Sequence, residues 1–119
     1  MALKVAVLLS GSGSTLQNLI DRAENGELDL EFVCVIGSRD DAYGLERARN
    51  HGIPAVPIVR KDFDSLASFN AKIWETVRGH GAELVVLAGF MSLLEIPDDF
   101  ENKVVNVHPA LIPAFCGKG

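Results

Sequence analysis

The run LKVAVLLS at residues 3–10, leading straight into GSGST, constrains this chain more than any other feature. It carries one lysine at its edge and no alternation of apolar and polar positions, so a strand made of it has to be covered on both faces. Strands of that kind belong to parallel sheets, whose crossover connections lay helices on either side. A helix is therefore expected next. Leu16, Leu19, Ile20 and Ala23 recur at the i, i+3, i+4, i+7 spacing of one helical face, with Ser14 or Thr15 placed to cap its start and Gly26 to end it.

The same alternation continues along the chain. LEFVCVIGS reads as a second strand, YGLERARNHG as a helix stopping at Gly52, and AVPIV as a short third strand. Residues 64–79 put Leu66, Phe69, Ile73 and Val77 on one stripe with Trp74 beside it, and AELVVLAGF and KVVNVH read as the fourth and fifth strands. Strands and helices in this order predict an α/β protein: a Rossmann-like, doubly wound, mainly parallel sheet with right-handed crossovers and helices on both faces. At 119 residues the chain is expected to form a single domain over 1–119.

Charge and composition narrow the function. A net charge of −5, a pI near 5.1 and scattered Lys and Arg argue against a nucleic-acid surface. No apolar run approaches the roughly 18 residues of a membrane span, and the N-terminus has no signal-peptide cleavage pattern, so a cytoplasmic protein with no membrane partner is expected. Cys34 and Cys116 lie too far apart for a metal clamp, and no metal site is expected. Cys34 sits in an apolar strand and reads as a core residue; Cys116 reads as loop packing. His51 and His80 adjoin glycines at helix ends, where histidines bond terminal carbonyls.

The polar signals gather at one edge. Residues 10–15, 89–91 and 106–108 all fall at or just past the carboxyl ends of their strands, where open α/β sheets bind ligands. The SGSGST loop joins strand to helix, so its amides and the positive helix end can hold an anion, with a plain turn as the alternative. Leu16 stands where a dinucleotide fingerprint wants a third glycine. Ser38 and Arg39 close the second strand with Asp40 beyond, which disfavours NAD, and no lysine follows the loop as a P-loop requires. A small phosphate monoester fits better. In VVNVHPALIP, Asn106 and His108 face the same way along a strand, either satisfied by nearby backbone or converging on one spot.

Together, LLSGSGSTLQNLI, DAYGLERA, VVLAGFM and NVHPALIPAF resemble the phosphoribosylglycinamide formyltransferase family of purine synthesis, across essentially the whole chain and in consistent order. The resemblance implies transfer of a formyl group from the co-substrate 10-formyltetrahydrofolate to the amine of glycinamide ribonucleotide. By that likeness Gly13, Ser14 and Thr15 hold the ribonucleotide phosphate, while Met91, Ser92, Leu93 and Leu94, with Asn106, contact the folate. Asn106 and His108 are then the catalytic pair: an amide and an imidazole that stabilise an oxyanion and move a proton, with Pro109 fixing the backbone after them.

Three departures accompany the likeness. The family's third catalytic group is an Asp well downstream of the histidine, and these 119 residues end before it, so they are expected to be an N-terminal portion, incomplete at the C-terminus; Asp98 and Asp99 precede the fifth strand in a loop. Leu66 and Ser92 stand where the family often has arginines, which removes positive charge near anionic ligands. The alternatives are a formyltetrahydrofolate hydrolase or a transfer-RNA formyltransferase of the same superfamily, or a phosphate-ligand-binding fragment without turnover. The two small molecules are the expected partners, and a homodimer stays open.

Overall fold

The computed structural model of the chain describes residues 2–107. Five strands, β1 (Leu3–Leu9), β2 (Leu30–Gly37), β3 (Ala55–Pro57), β4 (Leu84–Ala88) and β5 (Val104–Val107), form one sheet in the order β3-β2-β1-β4-β5, and every pairing is parallel. The helices are α1 (Ser14–Glu24), α2 (Tyr43–Asn50) and α3 (Leu66–Gly79). Two short 3₁₀ turns, Arg60–Asp62 and Asp98–Phe100, precede α3 and β5.

The expected double winding is present, and β1 shows why. Its residues 5–9 are fully buried, as a strand covered on both faces must be. Val5, Val7 and Leu9 pack with Leu16 and Ile20 of α1 and Leu45 and Ala48 of α2, whereas Ala6 and Leu8 pack with Phe69, Ile73, Trp74 and Val77 of α3. The chain runs outward from β1 through β2 to β3 with its helices on one face, then returns past β1 to β4 with α3 on the other. Right-handed crossovers require that reversal of faces when the strand order reverses. One extra residue interrupts the register: Val5 pairs with Phe32 but Ala6 with Cys34, so Val33 bulges and joins Cys34 on the α3 side.

The helix stripes fall as their spacing predicts, and the caps differ in one place. Ser65 caps α3 through its Oγ, which accepts from the Ser68 amide at 3.1 Å. At α1 the cap is Gly13, with φ +77°, rather than Ser14 or Thr15, which lie inside the first turn. A Cβ on Gly13 would sit 2.5 Å from Gly44 Cα, so the backbones of the loop and of α2 touch there, and that contact shifts the helix start by one residue. Cys34 is a core residue as expected; burial pushes its thiol up to about 11.

The histidines divide. His80 Nδ1 meets the Thr76 carbonyl at 2.9 Å, as a helix-end histidine should. His51 instead bridges two helices, with Nδ1 3.2 Å from Glu24 Oε2 and Nε2 3.2 Å from Gln17 Nε2. Asp98 and Asp99 are in a 3₁₀ turn, where Asp99 takes two bonds from Arg78 at 2.9 and 3.0 Å; that guanidinium holds the Asp99 carboxyl below the usual carboxylate range. Among the described residues no helix is long and apolar enough to cross a membrane.

Candidate functional site

In this sheet the strand order reverses at β1 and β4, and ligands of open α/β sheets settle in the crevice outside the carboxyl ends of such a pair. A crevice of about 600 Å³ lies there. Ser10 and Gly11 line it from the end of β1, Ser38 and Arg39 from β2, Arg60 and Lys61 from beyond β3, and Gly89, Met91 and Ser92 from beyond β4.

Ser10 ties these strand ends together. Its amide donates to the Gly89 carbonyl at 3.2 Å, its Oγ accepts from the Met91 amide at 2.8 Å, and the same Oγ lies 2.5 Å from Ser38 Oγ. Ser10 and Ser38 are both buried, and polar groups in such a place are tolerated because they satisfy one another. The floor of the crevice is thus held by side chains of β1 and β2 acting on the backbone after β4.

The glycine loop forms one wall. No side chain among the described residues caps α1, and its first turn has no acidic residue, so the first amides of the helix and its positive end stay available to an anion. Gly13, Ser14 and Thr15 stand at this helix start, beside the crevice rather than lining it. Behind the loop lies α2: Gly44 N donates to the Gly11 carbonyl at 3.1 Å, and Arg47 Nε to the Ser12 carbonyl at 2.7 Å. The helix expected over YGLERARNHG is α2, but these contacts, which join residues more than thirty apart, carry no local signal.

The opposite wall is the segment after β4. Met91 and Leu93 expose apolar side chains, 83% and 73% accessible, while Leu94 packs against the α3 cluster and Ser92 faces the crevice. The segment is anchored by two α3 residues, Asn70 and Trp74. Asn70, 3% exposed, accepts from Glu95 N at 2.7 Å and donates to Leu93 O at 3.2 Å, and Trp74 Nε1 donates to Glu95 O at 2.8 Å. A buried asparagine on an otherwise apolar helix face was the signal available for this.

Asn106 lies on β5 opposite Leu87, exposed, and by strand alternation on the α3 face of the sheet with Val104 and Leu87. It is not turned into the core, and it does not line the crevice itself. His108, Pro109 and Cys116 lie outside the described residues.

Positive charge in the crevice comes from three side chains. Arg39 pairs with Asp41 at 3.2 Å, and Arg60 donates to the Phe63 carbonyl at 3.2 Å with its guanidinium carbon 5.9 Å from the Phe69 ring centroid. Lys61 and Asp40 complete the rim. Among the described residues no group of three or more His, Cys, Asp or Glu could hold a metal ion.

Residues 3–119 match a family model described as formyl transferase. The chain is 37% identical over 116 residues to the phosphoribosylglycinamide formyltransferase of Haemophilus influenzae, a match covering 96% of this chain and 55% of that protein. It is 38% identical over 118 residues to the trifunctional purine biosynthetic protein adenosine-3 of Drosophila pseudoobscura pseudoobscura, covering 96% of this chain and 9% of that one. Among solved structures, glycinamide ribonucleotide transformylase 1 from Symbiobacterium toebii superimposes with a TM-score of 0.86 at 40% identity, over 96% of this chain and 55% of that one. The chain therefore spans about half the length of the Haemophilus protein it matches.

Proposed function

Because the chain belongs to the formyl transferase family, we propose that it transfers the formyl group of 10-formyltetrahydrofolate to the amine of glycinamide ribonucleotide, a step of de novo purine synthesis. One observation carries this reading: the uncapped start of α1, the exposed apolar segment after β4 and Asn106 on β5 all come out at the carboxyl edge of the sheet, around a crevice at its switch point.

The roles follow from chemistry. Gly13, Ser14 and Thr15 at the helix start receive the ribonucleotide phosphate. Met91 and Leu93 offer an apolar strip for the flat ring of the folate, with Ser92 and Leu94 beside it and Asn106 reaching the same ligand. The amine nitrogen forms a bond to the formyl carbon, whose oxygen becomes an oxyanion; the Asn106 amide and the His108 imidazolium donate to it. As the bond between the formyl carbon and N10 breaks, the His108 imidazolium gives its proton to N10 of the folate, and the neutral imidazole then takes the proton that the amine loses, so His108 ends as it began. We assign this work to the cytoplasm, with the two small molecules as partners, no nucleic acid, and a homodimer as the assembly to test by light scattering.

Formyl transfer by the full-length protein, measured with glycinamide ribonucleotide, water and methionyl transfer RNA as competing acceptors, tests the reading. Turnover on the ribonucleotide alone is expected, falling by orders of magnitude in His108→Ala. Turnover on water or transfer RNA instead would transfer the protein to a sibling activity, and an unimpaired His108→Ala would sink the mechanism.

A further inference from the structure

The glycine loop has two carbonyls turned back toward α2: Gly11 O accepts from Gly44 N at 3.1 Å and Ser12 O from Arg47 Nε at 2.7 Å. In a planar trans peptide the C=O and the following N–H point in opposite directions. Tying these carbonyls to α2 therefore aims the amides of Ser12 and Gly13 away from α2. The Gly44 bond is made by backbone alone. The Arg47 bond depends on one side chain reaching a residue 35 positions away in sequence.

That side chain is held from three directions. Besides the Ser12 carbonyl, Arg47 Nη1 donates to Gln17 Oε1 of α1 at 3.4 Å, and its guanidinium carbon sits 4.9 Å from the Tyr43 ring centroid. The neighbouring charged groups are engaged elsewhere: Glu46 pairs with Arg49 at 3.3 Å and Glu24 with His51 at 3.2 Å. Asp21 takes a bond from the Nε2 of the same Gln17 at 3.0 Å; among the described residues Arg47 itself forms no ion pair, and its half-buried positive charge stands directly behind the loop.

We infer that Arg47 is a positioning residue for the ribonucleotide phosphate: it fixes the Ser12 peptide so that the loop amides converge on the anion, and it adds positive charge from behind without entering the crevice. The inference rests on the phosphate reading above. A charge-assisted hydrogen bond is lost when Arg47 is shortened to an uncharged chain, which corresponds to about tenfold or more in affinity.

The experiment measures KM for glycinamide ribonucleotide, KM for 10-formyltetrahydrofolate, kcat, and competitive inhibition by inorganic phosphate, in the full-length wild type, Arg47→Met and Arg47→Lys. Wild-type inhibition by phosphate comes first: its absence would overturn the phosphate reading and this inference with it. Given inhibition, Arg47→Met is expected to raise the ribonucleotide KM and the phosphate Ki together, about tenfold, with kcat and the folate KM within about twofold and Arg47→Lys intermediate. Unchanged ribonucleotide and phosphate affinities in Arg47→Met would overturn it, and so would equal losses for both substrates with no rescue by lysine. Should Arg47→Met fail to fold, a phosphate titration of the wild type followed by NMR decides: the Gly13 amide and the Arg47 Nε–H have to shift together, and a still Arg47 signal overturns the inference.

Discussion

Trp74 Nε1 donates to the Glu95 carbonyl at 2.8 Å, and the Glu95 amide donates to Asn70 Oδ1 at 2.7 Å, so both backbone groups of Glu95 are satisfied by side chains of α3. Phe90 adds a stacked contact with Phe69 at 6.5 Å between ring centroids. The segment carrying Met91, Ser92, Leu93 and Leu94 is therefore part of the α3 face, and its backbone position is set by a helix whose other business is the core.

Asn70→Ala would leave the Glu95 amide and the Leu93 carbonyl without their protein partners in a half-buried place. A loss of about 1–3 kcal/mol is expected in urea unfolding. If the segment binds folate as proposed, the KM for 10-formyltetrahydrofolate rises several-fold while that for glycinamide ribonucleotide does not. A rise in both, in proportion to lost stability, would show that Asn70 supports the whole domain rather than this wall.

Gly13 and Gly44 make the opposite wall rigid in a way that two substitutions separate. In Gly44→Ala the new methyl would lie 2.4 Å from Leu9 Cδ2, a side-chain end that can move, and 3.2 Å from Gly13 Cα. Overpacking of that kind costs about 1–3 kcal/mol. Gly13→Ala meets Gly44 Cα at 2.5 Å, where backbone has to shift, and adds the strain of a side chain at φ +77°. Thermal unfolding of the two variants should rank Gly13→Ala as the less stable; the reverse order would mean that Leu9 cannot yield.

Much of this architecture was legible because it is periodic. Leu16 and Ile20, and Phe69, Ile73 and Val77, are buried where a 3.6-residue repeat puts them, and the uninterrupted apolar run of β1 announced its two covered faces. What was not legible depends on partners far away in sequence. Ser14 and Thr15 are the better capping residue types, yet the cap falls on Gly13 because α2 touches it. The position of His51 beside Gly52 points to its own helix end, whereas it bonds Glu24 and Gln17 of a neighbouring helix. Arg47 looked like one more charge on an amphipathic helix, since nothing within eight residues of it reveals the Ser12 carbonyl it meets. The candidate site shows the same division: the strand ends that carry it, Ser10 among them, could be placed from the order of elements, whereas the bonds by which Asn70 and Trp74 hold the segment after β4 could not.

The Cys34 thiol provides a test of burial with its own pH window. Its pKa is raised to about 11 in the folded chain because burial disfavours the thiolate, against an ordinary value of 9.0. Between those values the folded state keeps a proton that the unfolded state has lost, so its contribution to stability is full below pH 9.0 and fades as pH rises toward 11. Unfolding free energies of the wild type and Cys34→Val should therefore converge in favour of the valine variant over that range. A thiol reagent at pH 8 should react with Cys34 only after denaturation, and fast reaction in the native protein would contradict the burial.

Asn106 is where stability and turnover should part company. Among the described residues it is exposed on β5, and exposed positions away from caps and cores shift stability by within about 0.5 kcal/mol when substituted. Under the proposed mechanism its amide donates to an oxyanion, and losing one such donor costs about 10²–10³ in kcat. Asn106→Ala is thus expected to unfold at the wild-type urea midpoint, bind glycinamide ribonucleotide with an unchanged KM, and turn over two to three orders of magnitude more slowly. Asn106→Asp sharpens the test, because an ionised carboxylate has no hydrogen to donate and repels the developing negative charge. It should be at least as impaired as the alanine variant. A competent Asn106→Asp would remove the oxyanion role, since the only thing that survives that exchange is the shape of the side chain.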